Sequence, residues 1–195
     1  MTMPAQEAAP TAAERRAARQ ANQTPFNLVL ALIASLGIVA FLVIVVVRPE
    51  MEPRTVDYRA NAAAAQAQFG GALVVPDLPA EWTANRAEPT SATADGVARY
   101  DIGFLTPGGQ YIEYTQGFDA NPTWLAAQVK GASAGPGITI GGIRWTVYDR
   151  RDAPDIGNVA YALVADTDAA TLVISGTAVD AEFEELALAI AEQVR

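Results

Sequence analysis

The apolar and polar positions divide the chain into a polar start, one continuous apolar run and a longer part in which the two alternate. The run covers Phe26–Val47 and contains no charged residue. As a helix rising ~1.5 Å per residue it would extend about 33 Å, close to the ~30 Å of a bilayer's hydrocarbon core. A single strand would leave its backbone groups unpaired in lipid, so the helix is favoured. The pattern predicts a transmembrane helix over residues 26–47.

The segments around the apolar run differ in composition. Residues 1–25 are rich in Ala, Gln, Thr and Arg without an apolar face, which predicts a disordered cytoplasmic tail with room for a short helix at Ala12–Gln20. Residues 48–55 contain Pro49 and Pro53 and are interpreted as a linker. The remaining residues, 56–195, are long enough to bury a core of their own and are predicted to form one domain.

Arginines set the predicted orientation. Three occur on each side of the apolar run, but those before it are clustered on a short segment: Arg15, Arg16 and Arg19. Positive charge near the end of a span favours the cytoplasmic side, whereas long domains cross largely regardless of charge. The sequence therefore predicts a single-pass protein of the cell membrane, with a cytoplasmic N-terminus and an extracytoplasmic domain.

Alternation beyond residue 56 predicts strands, and caps and turns separate them. Asp57 and Asn121 are candidate helix N-caps, and Gly141-Gly142 suits a two-residue hairpin turn. The predicted helices cover 57–69, 122–130 and a closing segment capped by Asp180, and the predicted strands cover 73–75, 82–86, 97–105, 110–116, 138–140, 143–149, 158–165 and 171–177. This order indicates an α+β fold with a mainly antiparallel sheet and flanking helices. The same order is found in Mog1/PsbP-type sandwiches, an analogy of fold alone.

Missing residue types restrict the chemistry. The chain has no cysteine and no histidine, which excludes disulfides, thiolate metal sites and Ser-His-Asp triads. Residues 60–195 carry 7 Lys and Arg against 17 Asp and Glu, a net charge of −10. Such a surface repels phosphate backbones and anionic headgroups, so we expect no nucleic-acid partner. No cofactor motif is present, and we expect no cofactor.

The remaining polar candidates each have a plainer explanation. Ser133 follows Lys130 in the reverse of the order used by Ser-Lys dyads. Two acidic groups, able in principle to bind calcium or exchange protons, lie where hairpin turns are predicted, and Asp in turns usually bonds its own backbone. Their members are Asp149, Asp152 and Asp155 in one group and Asp166 and Asp168 in the other. We assign no catalytic, cofactor-binding or metal-ligating residue.

Aromatic residues offer a further candidate. Six of them lie on predicted strands or helices, where they line either a pocket or, more commonly, the core: Trp82, Trp124, Trp145, Tyr100, Tyr111 and Tyr114. The pocket interpretation supports a small-ligand-binding or sensor domain, and a facing carboxylate pair would support a hydrolase.

Several short motifs accompany the apolar run, namely Arg54–Tyr58, Leu78–Trp82, Phe104–Tyr111, Gly142–Trp145 and Ser175–Thr177. With the run, they resemble the motifs of an actinobacterial family of single-span membrane proteins with an extracytoplasmic domain of unknown function. The resemblance covers residues 26–195 and implies architecture and compartment, not an activity. Where family members often carry Asn-Ser-Ala, this chain has Asn85-Arg86-Ala87.

Taken together, these patterns predict a membrane-anchored accessory or protein-interaction domain of the cell envelope, without enzymatic activity. Its expected partners are the lipid bilayer, through residues 26–47, and an envelope or membrane protein. The alternative is a small-ligand-binding or sensor domain.

Overall fold

The N-terminal unit of the chain, Met1–Met51, contains the helix α1 over Ala12–Val45. The computed structural model describes residues 11–45, 55–92 and 95–194. Residues 1–10 of the predicted tail and 48–54 of the predicted linker lie outside these ranges. The helix begins well before the apolar run, at the start of the short helix considered for Ala12–Gln20, and continues through residues 21–25, where the sequence predicted disorder.

The predicted transmembrane helix over Phe26–Val47 is corrected by this structure. Within the described parts of the chain, no helix combines the length and the apolar character needed to cross a membrane. Residues 26–45 of the apolar run do not form a separate helix but belong to α1, which starts in the arginine-containing segment at Ala12.

The C-terminal unit, Glu52–Arg195, contains a seven-stranded sheet and three α-helices. The helices are α2 (Tyr58–Ala65, extended by a 3₁₀ turn at Gln66–Gln68), α3 (Pro122–Gln128) and α4 (Asp180–Val194). The strands are β1 (Thr83–Thr90), β2 (Ala98–Leu105), β3 (Tyr111–Phe118), β4 (Gly137–Ile140), β5 (Ile143–Asp149), β6 (Tyr161–Asp166) and β7 (Thr171–Gly176).

Every strand pair of the sheet is antiparallel, in the order β1-β2-β3-β7-β6-β5-β4. The first three strands form one meander and the last four form another, and β3 and β7 join the two. The prediction of an α+β fold with a mainly antiparallel sheet and flanking helices is confirmed in this unit. The two outer strands of the sheet are β1 and β4.

Alternation along the strands places two hydrophobic clusters on opposite faces of the sheet. The larger cluster joins the sheet to α2 and α4, and Ile102, Phe183 and Ile190 within it are at most 1% exposed. The smaller cluster forms around Trp124 of α3. Gly117 leaves room for that indole, since a Cβ at this position would lie 2.6 Å from the ring. The domain therefore has three layers, helix, sheet and helix.

Local sequence signals account for most element boundaries. The Asp57 carboxylate accepts a hydrogen bond from the Ala60 N–H at 3.0 Å, and the Asn121 side chain accepts one from the Trp124 N–H at 2.9 Å. Both residues are the N-caps that the sequence predicts. Gly141 and Gly142 have φ of 59° and 88°, the left-handed values that a two-residue hairpin turn requires.

Two local predictions are wrong. Residues 73–75 form no strand, because side-chain amides satisfy their backbone. The Leu73 N–H donates to Gln66 Oε1 at 2.9 Å, and the Val74 N–H donates to Gln116 Oε1 at 2.8 Å. Asp180 does not cap α4 but lies in its first turn.

The residue that reaches back over the start of α4 is Glu182. One of its carboxylate oxygens accepts from the Val179 N–H at 3.3 Å, and the other accepts from the Gly108 N–H at 2.9 Å. Gly108 lies in the turn between β2 and β3, where Gly109 has φ of 72°. A single buried carboxylate thus joins the tip of the β2–β3 hairpin to the first turn of α4.

Candidate binding surfaces

The outer edge of β4 is an open strand edge. This strand pairs with β5 alone, and within the described chain no other backbone group bonds to residues 137–140. Ile140 and Ile143 flank the two-residue turn and therefore form a hydrogen-bonded pair. Since hydrogen-bonded and non-hydrogen-bonded pairs alternate, the N–H and C=O of Thr139 point away from β5, toward the free edge. An extended chain can bond to both groups.

A groove of about 260 Å³ lies beside this edge, on the face that carries α4. Its apolar lining comes from alternate residues of β4 and from β6 and α4, namely Ile138, Ile140, Tyr161, Leu163 and Phe183. Two acidic residues of α4, Asp180 and Glu184, complete it. We call this surface the β4 groove.

The two carboxylates of the β4 groove differ in their pairing. Asp180 forms an ion pair with Arg151, whose guanidinium lies 4.3 Å from the centre of the Tyr161 ring. Glu184 is exposed and has no ion-pair partner among the residues described. The groove therefore combines an apolar floor with a free negative charge at its rim.

A second cavity, of about 510 Å³, lies on the opposite face of the sheet, beyond the end of α3. Charged and polar groups from separate elements line it, together with the loop before β6: Tyr111, Glu113, Lys130, Arg150, Asp155, Ile156, Gly157, Asn158 and Val159. We call it the α3-side cleft. The β3 residues in it lie on the face opposite to Ile112 and Tyr114, which point into the core.

A polar cluster forms the β3 wall of the α3-side cleft. Glu113, with a quarter of its side chain exposed, forms an ion pair with Arg86 of β1. Burial raises the pKa of the Glu113 carboxyl, and Arg86 opposes that shift. Burial, and next the Glu113 charge, raise the pKa of the Tyr111 hydroxyl. Gly103 leaves space under the cluster, since a Cβ there would lie 3.0 Å from the Tyr111 hydroxyl.

Two cations lie on the other side of the α3-side cleft. The Arg150 guanidinium donates to the carbonyls of Asp155 at 2.8 Å and Val159 at 2.9 Å. It thereby holds the loop that closes the cleft. Lys130, the only lysine of the chain, follows α3 with a left-handed backbone, φ 53°. Neither cation forms an ion pair with a carboxylate of the described chain.

The six aromatic candidates divide unequally between core and cleft. Five are buried, with at most 6% of their surface exposed: Trp82, Trp124, Trp145, Tyr100 and Tyr114. Tyr111 alone of the six lines one of the cavities described above. Five of these six aromatic side chains thus belong to the core.

Four of the acidic and nucleophilic candidates line one open pocket of about 560 Å³: Lys130, Ser133, Asp149 and Asp152. Asp155 lines the α3-side cleft. Asp149 accepts from the Arg151 N–H at 3.0 Å, which is the turn bond expected of Asp. Asp166 instead accepts from the Thr171 hydroxyl of the neighbouring strand at 2.7 Å. Asp168 is exposed in the turn between these two strands.

Sequence reasoning missed the residues that matter most in the two cavities. Within the described ranges, no three acidic side chains come together as a metal site. Glu113 was detectable as a charge in the middle of an alternating strand, where its neighbours Ile112 and Tyr114 are buried. Arg150 and Glu184 gave no local signal, because their place in a cavity depends on strands far away in sequence.

Comparison with known proteins gives one match. No curated protein and no solved structure matches this chain, so the analogy with Mog1/PsbP-type domains gains no support. One family model covers residues 20–190, nearly the whole chain. The match extends from within α1 to within α4 and contains every strand of the sheet. The chain belongs to the DUF4245 family, described as a protein of unknown function.

Proposed function

We propose that the C-terminal unit is a protein-interaction domain that binds an extended peptide segment of a partner protein along β4. The observation that carries this proposal is the open edge of β4 beside an apolar groove with a free carboxylate at its rim. An accessory role in the cell envelope, contact of residues 26–47 with lipid and the absence of enzymatic activity stay predictions.

The backbone of β4 supplies one part of the binding energy. Its four residues extend about 13 Å at ~3.3 Å per residue, enough to pair with a peptide of similar length. A peptide strand added here continues the sheet by main-chain hydrogen bonds, as in other cases of β-strand addition. These bonds carry no information about the sequence of the peptide.

The β4 groove supplies the selectivity. Alternate residues of an added strand face the same side, so every second peptide side chain points toward Ile138 and Phe183. An aliphatic side chain fills the apolar floor, and a Lys or Arg two positions away reaches Glu184. The net charge of −9 over the whole chain adds long-range attraction for a basic segment. The same charge disfavours a second copy of this chain as the occupant.

The main-chain contribution to peptide binding is tested with Thr139→Pro in the full-length protein. Proline removes the N–H that points outward and leaves the β4–β5 bonds in place, as prolines on edge strands do. The probe is acetyl-Thr-Val-Thr-Lys-Thr-amide, titrated calorimetrically. We expect Thr139→Pro to weaken binding about fivefold, the loss of one net hydrogen bond. Thr139→Val keeps the N–H and is the matched control.

The contribution of the β4 groove to peptide binding is tested by removing single charges from α4. Glu184→Gln should weaken binding of the same peptide about two- to threefold, the size of an exposed ion pair, and added salt should abolish the difference. Glu185→Gln removes a neighbouring exposed charge that does not line the groove, and we expect no change. Equal affinity of Thr139→Pro and wild type would refute binding along β4. A weakened self-association in Thr139→Pro, without an effect on the peptide, would show that a second copy occupies the edge.

A further inference from the structure

We propose a second site in the α3-side cleft, which binds a small molecule that carries a phosphate or carboxylate group and a hydroxyl. Lys130 and Arg150 hold the anionic group, and Glu113 accepts a hydrogen bond from the hydroxyl. This site lies on the face of the sheet opposite to the β4 groove and is independent of it.

The position of Lys130 is unusual for its residue type. Its φ of 53° lies in the left-handed region, which L-residues with long side chains rarely adopt, and Gly131 follows with φ of 69°. The Gly131 N–H donates to the Ala126 carbonyl at 2.7 Å and fixes this turn at the end of α3. The turn brings the only lysine of an acidic chain to the mouth of the cleft.

Arg150 keeps its charge available because carbonyls, not carboxylates, occupy its donors. The guanidinium bonds to Asp155, Ile156 and Val159 through their backbone oxygens. The loop is thereby held through backbone oxygens. The Asp155 carboxylate lines the cleft, and Asp149 and Asp152 line the adjoining pocket beside the same two cations, so part of the positive charge is balanced. Neither Lys130 nor Arg150 forms an ion pair with a carboxylate of the described chain, which leaves both able to contact an anion.

The β3 wall of the α3-side cleft determines the second group that the ligand needs, a hydroxyl. Glu113 already pairs with Arg86, so its charge is neutralised and a second anion nearby is not repelled strongly. The Glu113 carboxylate also accepts a hydrogen bond from the Tyr111 hydroxyl. A carboxylate has about four acceptor positions, more than Arg86 and Tyr111 together occupy, which leaves room for a hydroxyl donor of the ligand. The cavity of about 510 Å³ falls in the usual range for small-molecule sites, ~300–1,000 Å³.

The anion contact is tested by calorimetric titration of the full-length protein with inorganic phosphate at constant ionic strength. We expect Lys130→Met to weaken phosphate binding about tenfold, because a charge-assisted contact is lost. Arg144→Met removes an exposed cation outside the cleft and should change nothing. Equal binding by wild type and Lys130→Met, or binding of neither phosphate nor acetate by wild type, would overturn the site.

The hydroxyl contact is tested by comparing glycerol 3-phosphate with inorganic phosphate. We expect wild type to bind glycerol 3-phosphate more tightly, and Glu113→Gln to reduce that advantage while leaving inorganic phosphate unchanged. An advantage of the same size in Glu113→Gln would show that Glu113 does not contact the ligand. Acetate, titrated in parallel, distinguishes the two anionic groups: tighter binding of acetate than of phosphate identifies a carboxylate ligand.

Discussion

The two outer strands of the sheet are built in opposite ways. Several features close the β1 edge: its register shifts between Ala84 and Arg86, Pro89 lacks an N–H, and the Val56 N–H bonds to the Ala84 carbonyl at 2.9 Å. Strand β4 has no proline, no charged residue and no irregularity, and only β5 pairs with it among the described residues. Bulges, prolines and charges are the usual protection of edge strands against further pairing. The β1 edge of this sheet has such protection, and the β4 edge does not.

This contrast indicates where added strands are tolerated. If both edges were open, the domain would be expected to extend into larger assemblies through either side. With β1 closed, β4 is the outer strand of the described sheet that remains open to an additional strand, next to the groove that we propose selects its side chains. The protected edge is therefore a natural control for the open one.

The largest expected effect comes from breaking the attachment of the β4 hairpin to α4. Gly141 has φ of 59°, and a Cβ there would lie 2.4 Å from the Ala191 Cβ. Gly141→Ala therefore combines backbone strain with a steric clash, and we expect the free energy of unfolding to fall by about 2–4 kcal/mol in urea titrations. Gly142→Ala, with φ of 88° and open space around it, should lose about 1–2 kcal/mol only. Equal losses would mean that the contact with α4 does not hold the hairpin.

The second-largest expected effect is a loss of stability at alkaline pH, caused by Tyr100, a buried titratable residue that lies next to the closed β1 edge. Tyr100 pairs with Pro89, is fully buried, and its hydroxyl has no hydrogen-bond partner in the described chain. Burial raises the pKa of Tyr100 to about 12, whereas an unfolded tyrosine titrates near ~10. The unfolded chain then loses this proton first as pH rises, so stability falls from about pH 10 to pH 12 by up to ~1.4 kcal/mol per pH unit.

Tyr100→Phe is the test of that alkaline effect. At pH 11 we expect wild type to be destabilised relative to pH 8 by about 1 kcal/mol more than the variant, measured by urea unfolding. At pH 8 the variant should equal or exceed wild type in stability, because it removes an unpaired buried hydroxyl. An unchanged pH profile would show that Tyr100 ionises as easily in the folded state. On the β4 side the buried aromatic residue is Trp145. Because its side chain does not titrate, it contributes no such alkaline effect.

The smallest effect is expected from Pro89→Val, which returns an N–H to the closed edge. Loss of the proline increases the entropy of the unfolded chain and should lower stability by about 0.5 kcal/mol. We expect no new self-association in analytical ultracentrifugation, because the register shift and the bond from Val56 remain. Concentration-dependent dimers in this variant would show that the proline alone had kept the edge closed.

Local chemistry made much of the C-terminal unit predictable. Alternation placed Ile102, Ile112 and Tyr114 in the core, and Asn121 and the Gly141-Gly142 pair were recognisable as a cap and a hairpin turn. These signals depend on neighbours within a few residues. The strand order was not predictable, because the pairing of β3 with β7 joins segments far apart in sequence.

The errors have the same origin. Residues 73–75 look like a strand, but the partner of Val74 is the side chain of Gln116, 42 positions away. Asp180 looks like a cap, but its carboxylate pairs with Arg151 of a distant loop. The apolar run was judged by its own length and composition, whereas in the structure its residues 26–45 continue a helix that begins at Ala12. Both candidate sites likewise combine elements that only the folded sheet brings together.

The carboxylate of Glu182 has a consequence for the synthesis of this protein. It accepts from the N–H of Gly108, a residue made 74 positions earlier. Chains fold as they emerge, N-terminal parts first, so the β2–β3 hairpin leaves the ribosome before the helix that fixes its tip exists. Until α4 is made, the Gly108 amide has water in place of its final acceptor. A product that stops before α4 therefore retains an unfinished hairpin.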